Sequence, residues 1–521
     1  MSTAAAGGNN FGGGLDADTG GVSSTVAGAT TFFVLVVSGI CMWLGADAQR
    51  VLLTASLSMM LFALISYGPA VGVPAALIYL AMVGGIKRYA IPLLGYSSYD
   101  PLLLVSPLVV GLFFTNRLIS RDIPRDTPLA KMILGLLIIF LLEIANPFQG
   151  GIAIGLAGGL YYVVPLLWFY IGREVGTPEV RQSVFKAVIG IALLGSLYGL
   201  YQQFFGFTDI EKQWLAVTHN DNGLSLGGSV MRVFSFFSSF SEYAHFTALG
   251  TVVAASFLAK RNRLYVVPLL MLFVAVVLCS SRGTLLSSVG VCALIWAVQG
   301  RTLVSWAPRL VLAALFGIAS LFYGLSSVKT ANISDTTTQT ILSHQARGLL
   351  APLDKKQSTG STHLAEIVVG VQNGFRNPLG SGLGATTLAA GKFGAEVQGT
   401  EFDISNIFAG CGFVGGFLYL AVIFQTLRRA LWYWLEKRDV VDLATLAVLA
   451  GSWGLWLMSG HYPATMLVWF VIGGMDRSDA VALQEKKRAH AATKASVLPR
   501  TGGLLRNVGA GLGPAVAQDN R

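Results

Sequence analysis

The chain has 521 residues, of which 54% are hydrophobic and 12% charged, with a formal net charge of +10. Soluble domains carry about 25% charged residues, so most of this chain could not cover a water-facing surface. A soluble enzyme or a soluble nucleic-acid-binding domain is excluded as its main form.

Residues 1–27 are rich in Gly, Ala and Ser and contain no Lys or Arg. A secretory signal needs a basic start, an apolar core and a cleavage site, so this stretch reads as a flexible cytoplasmic tail. Apolar blocks then recur along the chain, for example at 31–44, 129–142 and 264–279. They predict spans near 29–46, 51–67, 69–86, 101–116, 128–145, 151–172, 184–205, 235–259, 264–279, 283–299, 308–327, 405–426, 441–458 and 461–475. The expected fold is all-α: a polytopic transmembrane helix bundle of about 12–14 helices with one large extracytoplasmic loop. Its divisions are a tail (1–27), transmembrane helices (28–327), the outer loop (328–404), C-terminal transmembrane helices (405–475) and a basic cytoplasmic tail (476–521).

Basic residues set the orientation. Arg117, Arg121, Arg125 and Lys131 follow the fourth span, and Arg173, Arg181 and Lys186 the sixth. Lys260, Arg261 and Arg263 follow the eighth, Arg301 and Arg309 the tenth, and Arg428, Arg429, Lys437 and Arg438 the twelfth. All fall after even-numbered spans, which makes those loops and both termini cytoplasmic. Lys87 and Arg88 are the main exception, in an outer loop. The net charge is mostly this bias and does not call for nucleic acid. Cys41, Cys279, Cys292 and Cys411 lie in or beside apolar blocks, with no metal spacing and no disulfide framework.

Four outer features remain: 206–234, the turn at 280–283, the loop 328–404 and the turn near His461. Arg232 stands just before the eighth span, where it could reach an outward-facing cavity or serve as an interfacial anchor. Arg282 sits in the short turn Cys279-Ser280-Ser281-Arg282-Gly283-Thr284, on the side where arginine runs against the charge bias. Ser281 is a candidate cap for the following helix, and Gly283 would permit the tight turn.

Within the eighth span, Glu242 and His245 are three apart and share a helical face. Such groups face a polar cavity or form a structural pair. Glu143, at the outer end of the fifth span, is similar. The long loop holds Lys329, His344, Arg347, Lys355, Lys356, His363, Glu366, Arg376 and Lys392. Its stretch 362–373 is amphipathic enough for a helix on the membrane face. The run Asn377-Pro378-Leu379-Gly380-Ser381-Gly382-Leu383-Gly384 is a weak phosphate cradle, lacking the Walker lysine, and a turn-rich loop explains it as well. Glu401 to Asn406 leads into the twelfth span, where Gly410, Gly412, Gly415 and Gly416 allow close helix packing.

Three of these blocks, in this order and around a large outer loop, resemble the O-antigen ligase and polymerase superfamily. They are Arg232 with its Phe/Ser-rich helix start, Ser281-Arg282-Gly283 opening a helix, and Asn377–Gly384 before a polar entry into a Gly-rich helix. The resemblance covers about 200–430. It implies a metal-independent, GT-C-like glycosyltransferase without cofactors in the bacterial inner (cytoplasmic) membrane. Its partners would be an undecaprenyl-pyrophosphate-linked oligosaccharide, a saccharide acceptor and the bilayer, with a chain-length regulator as an open further partner. Arg232 and Arg282 match the family's arginines and would engage the pyrophosphate; Arg376 is counted with them. Many ligases carry a histidine just before the asparagine, whereas here Ser405 precedes Asn406. That departure favours a surface or exopolysaccharide polymerase over an O-antigen ligase acting on lipid A core.

Chemistry makes the same demand from another side. Outside the cytoplasm an activated sugar must arrive on a lipid, and pyrophosphate leaves well once its charge is stabilised. Arginine is always charged and bidentate, which suits that task. The acceptor hydroxyl needs a group to take its proton, and Asp403, Glu242 and His245 are the candidates, in that order. The rival readings are a transporter or flippase of lipid-linked sugars, which would favour internal repeats that the sequence lacks, and a non-catalytic assembly subunit.

Overall fold

The computed structural model describes residues 47–497 except 98–99, 121–122, 219–224, 228–229, 301, 331–335, 351–359 and 459, together with residues 36, 38–40, 42 and 43. The tail 1–27 lies outside the described residues, as do most of the expected span 29–46, Lys355, Lys356 and the chain beyond 497. The chain divides into two units, Met1–Arg477 and Ser478–Arg521. Of the second, the described residues are helical as far as Val497.

In chain order the helices are α1 (Ala48–Tyr67), α2 (Pro69–Leu94), α3 (Val105–Ile119, preceded by the 3-10 turn Pro101–Leu104), α4 (Pro128–Ile144), α5 (Ile152–Val175), α6 (Pro178–Phe205) and α7 (Asp209–Thr218). A small antiparallel hairpin, β1 (Ser225–Gly227) and β2 (Val230–Met231), follows. Then come α8 (Phe240–Ala259), α9 (Val266–Leu278), α10 (Arg282–Ala297), α11 (Leu303–Thr330), α12 (Thr336–Leu350), α13 (Gly360–Arg376), α14 (Leu388–Lys392), α15 (Asp403–Lys437), α16 (Val440–Gly451) and α17 (Tyr462–Val497).

Many of these boundaries are written locally. Thr127-Pro128 and Thr177-Pro178 each place a capping hydroxyl before a proline at the first helical position, where the missing N–H costs nothing. Thr127 accepts from the N–H of Ala130 at 3.1 Å, and Ser239 accepts from Glu242 N at 3.1 Å. The cap at Ser239 starts α8 at residue 240, later than the expected 235. Ser281, by contrast, makes no capping hydrogen bond. The left-handed residue of that turn is Ser280 (φ 58°), not Gly283. The helix α16 stops at Gly451, short of the expected 458, because Gly454 (φ 78°) and Gly460 (φ 84°) turn the chain.

Among the described residues, six helices are long and apolar enough to cross a membrane: Ala48–Tyr67, Pro69–Leu94, Pro101–Ile119, Ile152–Val175, Pro178–Phe205 and Asp403–Lys437. Several shorter apolar helices accompany them, including Arg282–Ala297 and Val440–Gly451. Large apolar side chains stand exposed midway along them, with Leu194 at 64% and Phe424 at 69%. A water-soluble protein avoids such faces, whereas lipid solvates them at no cost. The helix α8 is central: nearly every residue from Glu242 to Phe257 is buried, and it packs on α6, α9, α10 and α16.

The glycine-rich run 377–384 is a packing device. Gly412 is non-helical (φ 65°), which kinks α15. At that kink the carbonyls of Ala409 and Gly410 accept from Ser381 N (2.9 Å) and Gly382 N (3.0 Å). A Cβ at Gly380 would lie 2.2 Å from the Gly410 carbonyl, and one at Gly412 1.9 Å from that of Pro378. The backbone here is used up by the protein itself. The helix α13 then lies along the start of α15, with Gly370 against Ser405 and Gly374 against Phe408. It covers the stretch 362–373 read as amphipathic.

Candidate functional site

Two polar clusters gather the residues singled out from the sequence. The first is cationic. Arg232 follows β2 and lays its guanidinium over the Phe240 ring, 4.6 Å from the centroid. Arg282 opens α10, and its Nη2 donates to the carbonyl of His344 at 3.0 Å and lies 3.3 Å from His344 Nε2. The helix α12 carries His344 there, packed on β1, α9 and α10. Gln345 beside it holds the carbonyl of Val277.

The two arginines, about 50 residues apart in sequence, fall within electrostatic reach of each other. Burial lowers the pKa of Arg232, the Arg282 charge lowers it further, and Glu401 opposes both. His344 feels the same field. Burial, then Arg282, Arg232 and Arg347, lower it to about 4. One histidine thus sits among three guanidinium groups and stays neutral through the physiological range. Such a cluster is suited to an anion with several oxygens, which planar guanidinium forks bind bidentately.

An anion between these arginines would offset their repulsion and favour a proton on His344. The bound form then holds a proton that the free form lacks, so affinity rises as the pH falls. The expected result is that stabilisation of the purified protein by sulfate grows as the pH is lowered from neutrality toward about 4. His344→Gln should flatten that dependence. A wild-type response independent of pH would remove His344 from the site.

The second cluster is buried and surrounds the segment 452–462 between α16 and α17. His245 Nε2 lies 3.4 Å from Ser452 Oγ, and its ring is 5.4 Å from that of His461. Ser241 Oγ lies 3.0 Å from His461 Nε2. Glu242 accepts from Ser238 N at 2.7 Å. Asp403 accepts from Leu457 N at 2.7 Å and from the Tyr419 hydroxyl at 3.1 Å, while its own N–H donates to Gly454 O. Glu242, His245 and Asp403 are at most 2% exposed. His245 and Asp403 therefore hold one connecting segment, Glu242 closes the start of its own helix, and none of the three stands open at the cationic cluster.

Arg376 is exposed at the end of α13. Because α13 runs beside α15 with residue 374 level with 408, Arg376 lies past the start of α15. Glu401, which answers Arg232, lies before it. Glu143 accepts from Asn146 Nδ2 at 2.6 Å, and the same Asn146 nitrogen donates to Gly380 O at 3.1 Å. It belongs to the glycine packing. His344, Arg347 and His461 were legible only as loop residues. Nothing in local spacing shows that α12 returns onto the start of α10.

These features define a multi-pass membrane protein with a cationic cluster at one end of its helices. Comparison with protein-family models, with curated proteins and with solved structures finds no match.

Proposed function

We propose that the chain is a membrane glycosyltransferase of the O-antigen ligase and polymerase type, GT-C-like in its helical plan, working as a surface or exopolysaccharide polymerase. The observation that carries this reading is the convergence of Arg232 and Arg282 around His344, two arginines that the resemblance picks out separately. In this reading the cluster faces the outer side of a bacterial cytoplasmic membrane, both termini are cytoplasmic, and 328–404 is the extracytoplasmic loop.

The donor is a glycan on a polyprenyl pyrophosphate. An acceptor hydroxyl oxygen attacks the anomeric carbon. The bond from that carbon to the pyrophosphate oxygen breaks, the carrier diphosphate leaves with the electron pair, and the hydroxyl proton passes to a base or to solvent. Charge develops on the leaving diphosphate, and cations already fixed at that position stabilise it without reorganisation. The arginines supply that charge, so no divalent cation is required.

Purified protein in liposomes, given a polyprenyl-pyrophosphate-linked oligosaccharide on the outer leaflet, is expected to lengthen the glycan in the presence of a chelator. Activity that vanishes in chelator and returns with Mg²⁺ or Mn²⁺ contradicts this chemistry. Net movement of the lipid-linked sugar across the bilayer without elongation would replace it with a transporter.

A further inference from the structure

Polymerisation joins two lipid-linked glycans, so that chemistry has two diphosphates to hold at the same membrane edge, and the cluster at Arg232 and Arg282 accounts for one. A second cationic cavity lies at the same end of the helices. Its volume is about 250 Å³, and Arg50, Lys87, Tyr96, Asp100 and Trp214 line it. Pockets for drug-sized ligands run roughly 300–1,000 Å³. This one is too small for an oligosaccharide and large enough for a phosphoryl headgroup.

Its walls are built by the fold. Arg50 is 1% exposed. It faces Asp100 at 3.4 Å and donates to the Gly95 carbonyl, while its Nε has no hydrogen-bond partner among the described residues. Lys87, on α2, has Asp100, Lys392, Arg50 and Arg88 within electrostatic reach. No hydrogen bond or ion pair holds its ammonium among the described residues. Arg88 is turned away, donating to the carbonyls of Ser235 and Phe237 and stacking on Trp214 and Phe234. One carboxylate, Asp100, therefore faces both Arg50 and Lys87, which leaves the cavity positive.

The two cationic sites share a wall. Phe207, Trp214, Phe234 and Phe240 pack in one small aromatic cluster. Trp214 lines the cavity on one side, and Arg232 stacks on Phe240 on the other. Tyr96 and Trp214 are the side chains that settle at headgroup level. We propose that the Arg50–Lys87–Asp100–Trp214 cavity is a second diphosphate site, holding the headgroup of the acceptor's polyprenyl carrier beside the donor at Arg232 and Arg282. This assignment rests on the polymerase reading above.

The full chain, purified in detergent, should be titrated with undecaprenyl diphosphate and the bound lipid counted by native mass spectrometry. Wild type is expected to bind two. Lys87→Gln should weaken one site roughly tenfold or more, since charge-assisted hydrogen bonds are lost there, and Lys87→Arg should restore it. Arg232→Ala with Arg282→Ala should remove the other. Two lipids on Lys87→Gln at wild-type affinity would overturn the second site. So would displacement of the Lys87-dependent lipid by an equal concentration of phosphatidylglycerol, which would mark a general headgroup contact. If the Lys87-dependent lipid binds while the arginine variants change nothing, the cavity stands and the donor site of the proposed function fails instead.

Discussion

An Arg232→Ala, Arg282→Ala double variant is expected to reach the membrane at wild-type level and to make no polymer. Arg232 lies on an aromatic ring after β2, and the described bonds of Arg282 are to His344 in the covering helix α12. Removing one preorganised donor from a developing negative charge costs about 10²–10³ in rate, so each single variant should already be near background. Lysine in either place keeps the charge and loses the fork, and should restore activity only in part. The measurement is polymer length and yield in cells, with the protein quantified in the membrane fraction. Normal polymer from the double variant would end the proposed function.

Asp403→Ala is expected to fail in a different way, through folding. The Asp403 carboxylate satisfies the buried Leu457 N–H and the Tyr419 hydroxyl. Each donor left unsatisfied in a dry interior costs about 1–3 kcal/mol, out of a total stability of about 5–15 kcal/mol. The segment 452–462 would lose its side-chain attachment to α15 and keep only the backbone bond from Asp403 N to Gly454 O, so Ser452 and His461 within it would be held less firmly against α8. Thermal unfolding in detergent should show a large drop, and the protein should fall in the membrane fraction. A variant with wild-type unfolding and no transfer would instead make Asp403 the proton acceptor.

Composition, with the length of the recurring apolar blocks, determined that this is a helical membrane chain. A protein with 12% charged residues has to hide its surface from water, and that constraint needs no knowledge of contacts. The helix start at Thr127-Pro128 was equally local, because a cap and the residues it satisfies lie within four positions; the caps at Thr177 and Ser239 are as local, but the apolar pattern put those starts at 184 and 235 instead of 178 and 240. The amphipathic stretch that became part of α13 was local too.

Partnership between distant elements was decided only in three dimensions. The basic residues used to orient the chain are a case in point. Arg173 is buried against Asp126 and Asp476, and Arg181 lies 3.7 Å from Asp442. Single charges in the sequence are thus half of buried pairs whose other half lies as much as three hundred residues away. Arg88, read as an exception on the outer side, is consumed by backbone carbonyls, whereas its neighbour Lys87 on the same helix lines a cavity. Adjacent helical positions point about 100° apart, and only packing decides which one meets protein and which meets open space. The glycine run 377–384 carries no mark of the kink at Gly412 that uses its N–H groups. Glu242 and His245 read as a pair on one helical face, and Asp403 as a separate candidate acid. The segment 452–462 that His245 and Asp403 both hold appears only once α8, α15 and α17 are brought together, since periodicity records which face of a helix is polar but not what that face meets.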